Sequence, residues 1–326
     1  MATIAHNWES FVNDWCLGVP PTAGHDYAVR AFEALERHLP EYLTRTLGSG
    51  AKGIGVMFWP LEIGNVLAET EMLEGFAPVV ARVRDGERGA MSELRFATKL
   101  KHAGLIPWLE AEVGGKKLDI GVRVGEIAVY MEVVTPDRSD SDKDAHLRVM
   151  RARDRLGESD GLQSVVELLT FPTDEVVDSV AAAMRDAPLG QWCEIPGVAR
   201  WRRDEHPTGG RSGEFKWPAN EHRAHRLISA EYDHFAAEVP YVLVADTNAT
   251  LLSPKGWTAA FAECFKPSRN RKLGATVAYR EYSLEVANPQ RTFACVYANP
   301  YAYRPVPAEL IRVLMGLNQP IDVAAT

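Results

Sequence analysis

Glu93, Asp119 and Glu132 are the residues of this chain whose types and spacing suit chemistry. Three carboxylates delivered to one end of a β-sheet can hold a hard divalent cation such as Mg2+, or Mn2+ in its place. Mg2+ takes one or two carboxylates and fills its remaining positions with water and substrate phosphate. An ion held this way polarises a phosphodiester, generates hydroxide and steadies the leaving oxygen. Glu132 is the most telling of the three. It stands in the apolar run Ala128–Val134, where a carboxylate is costly unless it meets a metal, a hydrogen-bond network or a charged partner. A structural ion pair with Arg123 or Lys117 is the alternative way to meet that cost.

The elements that must position these groups follow from periodicity. Leu94, Ala97 and Leu100 recur at helical spacing, with Phe96 flanking the stripe, so a helix carries Glu93 in its first turn and Ser92 as a possible cap. Taken alone, Glu93 would read as a first-turn charge that favours the helix dipole. Gly104 suits the end of that helix, and Leu105 to Glu110 begins a strand. Gly114-Gly115 signals a hairpin turn ahead of Lys116 to Val124. In that second strand Asp119 alternates with Leu118 and Ile120, which places it on the opposite face. Ile127 to Val134 is the third strand.

This arrangement resembles the PD-(D/E)XK, restriction-endonuclease-like superfamily, from about Ser92 to Phe171. The resemblance implies an α/β fold whose core is a helix, a three-strand meander, a helix and a further strand, here Ser164 to Phe171. It implies metal-binding roles for Asp119 and Glu132 and the helical glutamate role for Glu93. The implied activity is a metal-dependent phosphodiesterase acting on DNA or RNA. One departure is serious: Val134 stands where the family has the lysine that orients or activates the attacking water. Lys99, Lys101, Lys116, Lys117 and Lys143 are the candidate substitutes. A catalytically inactive descendant of the fold, serving as a binding or regulatory protein, is the alternative expectation.

Around this core, residues 1–85 read as a mostly helical N-terminal region, with Pro40 placed to kink or divide one helix. Gly53 to Phe58 reads as a short strand, and Val66 to Val83 as a helix. Residues 86–190 are expected to form the nuclease-like core. Residues 191–326 then supply a long loop from Arg202 to Asn220, a helix from Glu221 to Glu238 and a C-terminal α/β extension. The buried strand Tyr241 to Asp246 could return to the same sheet.

Arg148, Arg151 and Arg155 share one face of a helix from Lys143 to Leu156 and are candidate phosphate contacts, unless Asp144, Asp154 and Glu158 pair with them. Basic residues between Arg200 and Arg226 alternate with Trp201, Phe215 and Trp217, a composition suited to single-stranded nucleic acid or to an ordinary surface insertion. His222 and His225 do not make HExxH, and the glycines near Lys52 do not make a P-loop.

The formal net charge of -8 argues against a globally polyanion-binding surface and leaves room only for a local basic face. The four cysteines are dispersed, with no zinc spacing and no disulfide framework. The N-terminus lacks a signal-peptide pattern, and no apolar run reaches the ~20 residues of a membrane span. A cytoplasmic location without a membrane partner is the expectation.

Overall fold

The computed structural model describes residues 7–15, 25–48, 54–136, 140–152, 156, 161–209, 212–216, 221–235, 237–248, 250, 254–282 and 291–317. The chain divides into two compact units. The first comprises Met1–Thr135, Glu231–Asp246 and Arg271–Thr326, the second Pro136–Ala230 and Thr247–Asn270. Both mix helices with strands, and no helix among the described residues is long and apolar enough to cross a membrane.

The first unit opens with helices α1 (Trp8–Trp15), α2 (His25–His38), α3 (Pro40–Gly48), α4 (Ile54–Thr70) and α5 (Phe76–Arg84). Pro40 divides α2 from α3, because a proline ring fits the first turn of a helix but not its interior. Where a strand is expected from Gly53 to Phe58, the described residues from Ile54 on are instead helical: α4 begins at Ile54 and accommodates Pro60. Its apolar run is hydrophobic nearly all round, which a buried helix shares with a buried strand. Gly64 lets α4 press against α2, since a Cβ there would come 2.2 Å from the Ala31 carbonyl oxygen. The helix expected from Val66 to Val83 is interrupted at the turn before Gly75, whose φ of 80° is favourable only to glycine among common residues.

Helix α6 (Arg88–His102) carries Glu93 and packs against β2 (Lys116–Val124) and β3 (Ile127–Val134), which follow β1 (Trp108–Val113). The helix starts four residues before Ser92, so Glu93 lies beyond the first turn and Ser92 is no cap. β1, β2 and β3 form the expected antiparallel meander. The next strand of that sheet is β8 (Tyr241–Asp246), parallel to β3, followed by parallel β9 (Ala275–Tyr282) and antiparallel β10 (Arg291–Ala298). Leu94, Phe96, Ala97 and Leu100 of α6 join Ile120, Val122, Met131, Val133, Val242 and Val277 in one core. Helix α11 (Ala308–Gly316) adds Leu310 and Leu314 to it.

The second unit is built on a four-stranded sheet of order β5-β6-β4-β7, made of β4 (Leu162–Leu168), β5 (Trp192–Ile195), β6 (Ala199–Glu205) and β7 (Ser212–Lys216). Its helices are α7 (Asp140–Arg151), α8 (Asp174–Arg185), α9 (Glu221–Glu231, whose last residue belongs to the first unit) and α10 (Pro254–Cys264). The Thr173 hydroxyl caps α8 by accepting the Val176 N–H at 3.3 Å. Two expectations are corrected here. Ser164 to Phe171 does not continue the meander sheet, since β4 pairs with β6 and β7. Within the expected Arg202–Asn220 loop, β6 runs on to Glu205 and β7 occupies Ser212–Lys216.

Candidate metal centre

Strand alternation sets the site. In β2 and β3 the residues Ile120, Val122, Val129, Met131 and Val133 enter the core with α6, so Asp119, Gly121, Tyr130 and Glu132 point to the opposite face. Ile120 pairs with Met131, and Asp119 and Glu132 are the next residue along on each strand. Asp119 Oδ2 accepts the Val133 N–H at 2.7 Å, which ties the carboxylate to the third strand. Gly121 makes room beside it for the Trp108 ring; a Cβ there would lie 2.2 Å from ring carbon.

Both carboxyls resist ionisation. Burial pushes Asp119 up to about 8, and the nearby Glu93 charge adds to it against the pull of the Val133 N–H and Arg82. Burial, then the charges of Asp119 and Glu231, push Glu132 up to about 9. Glu132 Oε2 is buried and, among the described residues, has no hydrogen-bond partner. Acceptor atoms crowded in this way call for a proton or a cation.

Glu93 takes another partner. Arg82 of α5 donates to its two oxygens at 2.8 and 2.6 Å and also reaches Glu110 at 2.7 Å and Glu87 at 2.9 Å. Glu110 adopts a left-handed φ of 53° within β1. Glu93 is 2% exposed, so this bidentate guanidinium neutralises a fully buried charge. Among the described residues, neither Glu93 nor Asp119 belongs to a group of three ligand side chains that close on one point with Glu132.

Among the described residues, the group of metal-ligating side chains whose donor atoms lie within 4.8 Å of one another is Glu132, Glu231 and His234. His234 Nδ1 is 3.5 Å from Glu132 Oε1 and 3.1 Å from Glu231 Oε2. Glu231 ends α9 and His234 lies in the turn after it, three positions on. This pair is not among the residues expected from the sequence, although Glu231-Tyr232-Asp233-His234 carries a usable signal: a glutamate and a histidine three apart share a helical face. His225 instead pairs its Nδ1 with Ser229 Oγ at 3.1 Å.

The candidate lysines have other engagements. Lys99 binds Glu281 at 2.7 Å, Lys101 binds Glu69 at 2.9 Å, and Lys117 lies 3.4 Å from Glu110. Lys116 donates to the Asp233 carbonyl, beside His234. Lys143 is in α7, and its side chain is outside those described. Among the described ion pairs, the basic group on Glu132 is the His234 imidazole.

No protein-family model, curated protein or solved structure matches this chain.

The basic residues read as phosphate contacts belong to the second unit. Arg148 lies 3.3 Å from Asp174 and donates to the Pro172 carbonyl at 3.2 Å. Arg151 is exposed at the end of α7, and Arg155 lies outside the described residues.

A second buried polar group sits where α6 meets β8 and β9. The Ser92 hydroxyl donates to Asp246 Oδ2 at 2.6 Å, and the Thr135 hydroxyl donates to Ser92 Oγ at 3.1 Å. Arg95 Nε binds Glu62 Oε1 at 2.7 Å and lies 3.9 Å from Glu281, which also holds Lys99. Opposite charges are matched throughout this network, so it reads as a structural tie between α4, α6 and β9.

Proposed function

We propose that this protein is a metal-dependent phosphodiesterase acting on nucleic acid, with Asp119 and Glu132 as carboxylate ligands of the ion. The observation that carries this reading is Asp119 reaching the Val133 N–H, the residue next to Glu132, with Glu132 Oε2 buried and unpartnered. The meander of β1, β2 and β3 beside α6, followed by parallel β8, supports a restriction-endonuclease-like core with Tyr241–Asp246 as its fourth strand. Mg2+ or Mn2+ would supply Lewis-acid polarisation of the phosphate and a bound water of lowered pKa. Asp119, anchored through the Val133 N–H, and Glu132, fixed in a paired strand, hold their oxygens with little freedom to relax. Glu93 acts here as the partner of Arg82, whose guanidinium offsets negative charge beside Asp119.

The engagement of Glu93 by Arg82 and the valine at position 134 favour a second reading, an inactive binding protein on the same scaffold. Cleavage separates the two. Incubation of the purified chain with single- and double-stranded DNA and RNA in Mg2+ or Mn2+ should give chelator-sensitive cutting that Asp119→Asn and Glu132→Gln abolish. Absence of metal-dependent cutting on every substrate would leave the binding protein.

A further inference from the structure

We propose that His234 and Glu231 are ligands of the same ion as Glu132, so that the centre is a nitrogen-containing site selective for a first-row transition metal over Mg2+. This deepens the phosphodiesterase reading and rests on it for the role of Glu132.

Ligand atoms about 2.1 Å from one ion lie roughly 3.0–3.4 Å apart at neighbouring corners of an octahedron or tetrahedron. The Nδ1 separation from Glu231 Oε2, 3.1 Å, falls in that range, and that from Glu132 Oε1, 3.5 Å, lies just beyond it. The carboxyls of Glu132 and Glu231 each also bring an oxygen within 4.8 Å of the other. Two carboxylates so placed repel unless something positive lies between them.

A histidinium could supply part of that charge, but its Nδ1–H is a single donor facing two carboxylates, and Glu132 Oε2 has no described partner. A metal ion can bind both carboxylates and the imidazole nitrogen together. Ligation through Nδ1 puts the imidazole proton on Nε2, and the His234 side chain is 51% exposed, so one edge of the site is open to water and substrate.

Ligand chemistry then sets the metal. Mg2+ takes oxygen ligands and sheds water reluctantly, whereas imidazole suits Zn2+, Fe2+, Ni2+ and Cu2+. With Asp119, the two glutamates and the histidine make four protein ligands, which leave positions for a water and a phosphate oxygen on a six-coordinate ion.

The probe is Co2+ added to the chelator-treated full-length protein, followed by visible absorption and by equilibrium titration, with Mg2+ titrated in parallel. We expect a cobalt spectrum that changes with His234→Ala, and Co2+ affinity at least about tenfold weaker in His234→Ala and Glu231→Ala, as losses in metal-site shells usually are. Mg2+ affinity should be nearly unmoved by His234→Ala. Circular dichroism checks that the variants are folded. Unchanged Co2+ affinity and spectrum in both variants overturn the proposal. If Asp119→Asn and Glu132→Gln still abolish metal binding in that case, the phosphodiesterase reading survives with a smaller ligand set. If instead His234→Ala weakens Co2+ while Asp119→Asn changes neither metal binding nor cutting, the ligand set stands and the role given to Asp119 falls.

Discussion

Arg82 and Glu93 form a pair in which one partner is 2% exposed, so removing the other strands a charge without water. Arg82→Ala should destabilise the protein by about 3 kcal/mol, the range for a broken buried pair, as read from urea unfolding. Arg82→Met with Glu93→Gln should recover most of that loss; equal stability of Arg82→Ala and the wild type would remove Arg82 as the reason Glu93 is tolerated. Asp119 and Glu132, held up to about 8 and about 9, carry protons at pH 7 when no ion is bound. The unfolded chain releases those protons at ordinary carboxyl values, so the ion-free fold loses stability as pH rises from about 4 to about 9. Ion binding at pH 7 should therefore release protons, and affinity should rise with pH until both groups are ionised. Calorimetry in buffers of different ionisation heat measures this, and zero proton release would contradict it. At this scale the half-buried place of Glu132 was legible because a carboxylate in an apolar strand stands out, and the face of Asp119 because it alternates with Leu118 and Ile120. Glu93 reads in sequence as a first-turn charge or, through the resemblance, as a helical metal ligand, and not as the buried partner of Arg82, since that pair joins two helices through space and carries no periodic signal.

Between elements, the network of Glu62, Arg95, Glu281 and Lys99 ties α4 to α6 and β9. Burial pushes Glu62 up to about 7 against the pull of Arg95. A raised carboxyl favours the fold while it is protonated, so its contribution falls as pH climbs from the usual glutamate value through about 7. Glu62→Gln should flatten that part of the stability profile, and thermal unfolding from pH 4.5 to 8 would show it. A slope unchanged by the substitution would place the titration elsewhere. The meander was legible because Gly114-Gly115 and alternation mark hairpins directly. Helix α4 was not, because its apolar run lacks the polar face that distinguishes helical from strand period. Ser92 looked like a cap by type; its hydroxyl instead serves Asp246, a residue 154 positions away.

For the whole molecule, the main surprise is connectivity. The chain leaves the meander after β3, builds most of the second unit, and returns through Glu231 and His234 to β8. Ser164 to Phe171 and Tyr241 to Asp246 both read as strands, and period alone could not say which joins β3. Burial decides it: all six residues of β8 are buried, as a central parallel strand requires, whereas β4 alternates. That return path also explains why Glu231 and His234 escaped notice, since their partner Glu132 lies across an entire inserted unit. The central claim is that Asp119 and Glu132 jointly hold a divalent ion. Its most direct test is calorimetric titration of Mn2+ into the chelator-treated full-length protein and into Asp119→Asn and Glu132→Gln. The account predicts saturable binding by the wild type and at least about tenfold weaker binding by each variant; no binding by the wild type, or equal affinity in all three, would contradict it.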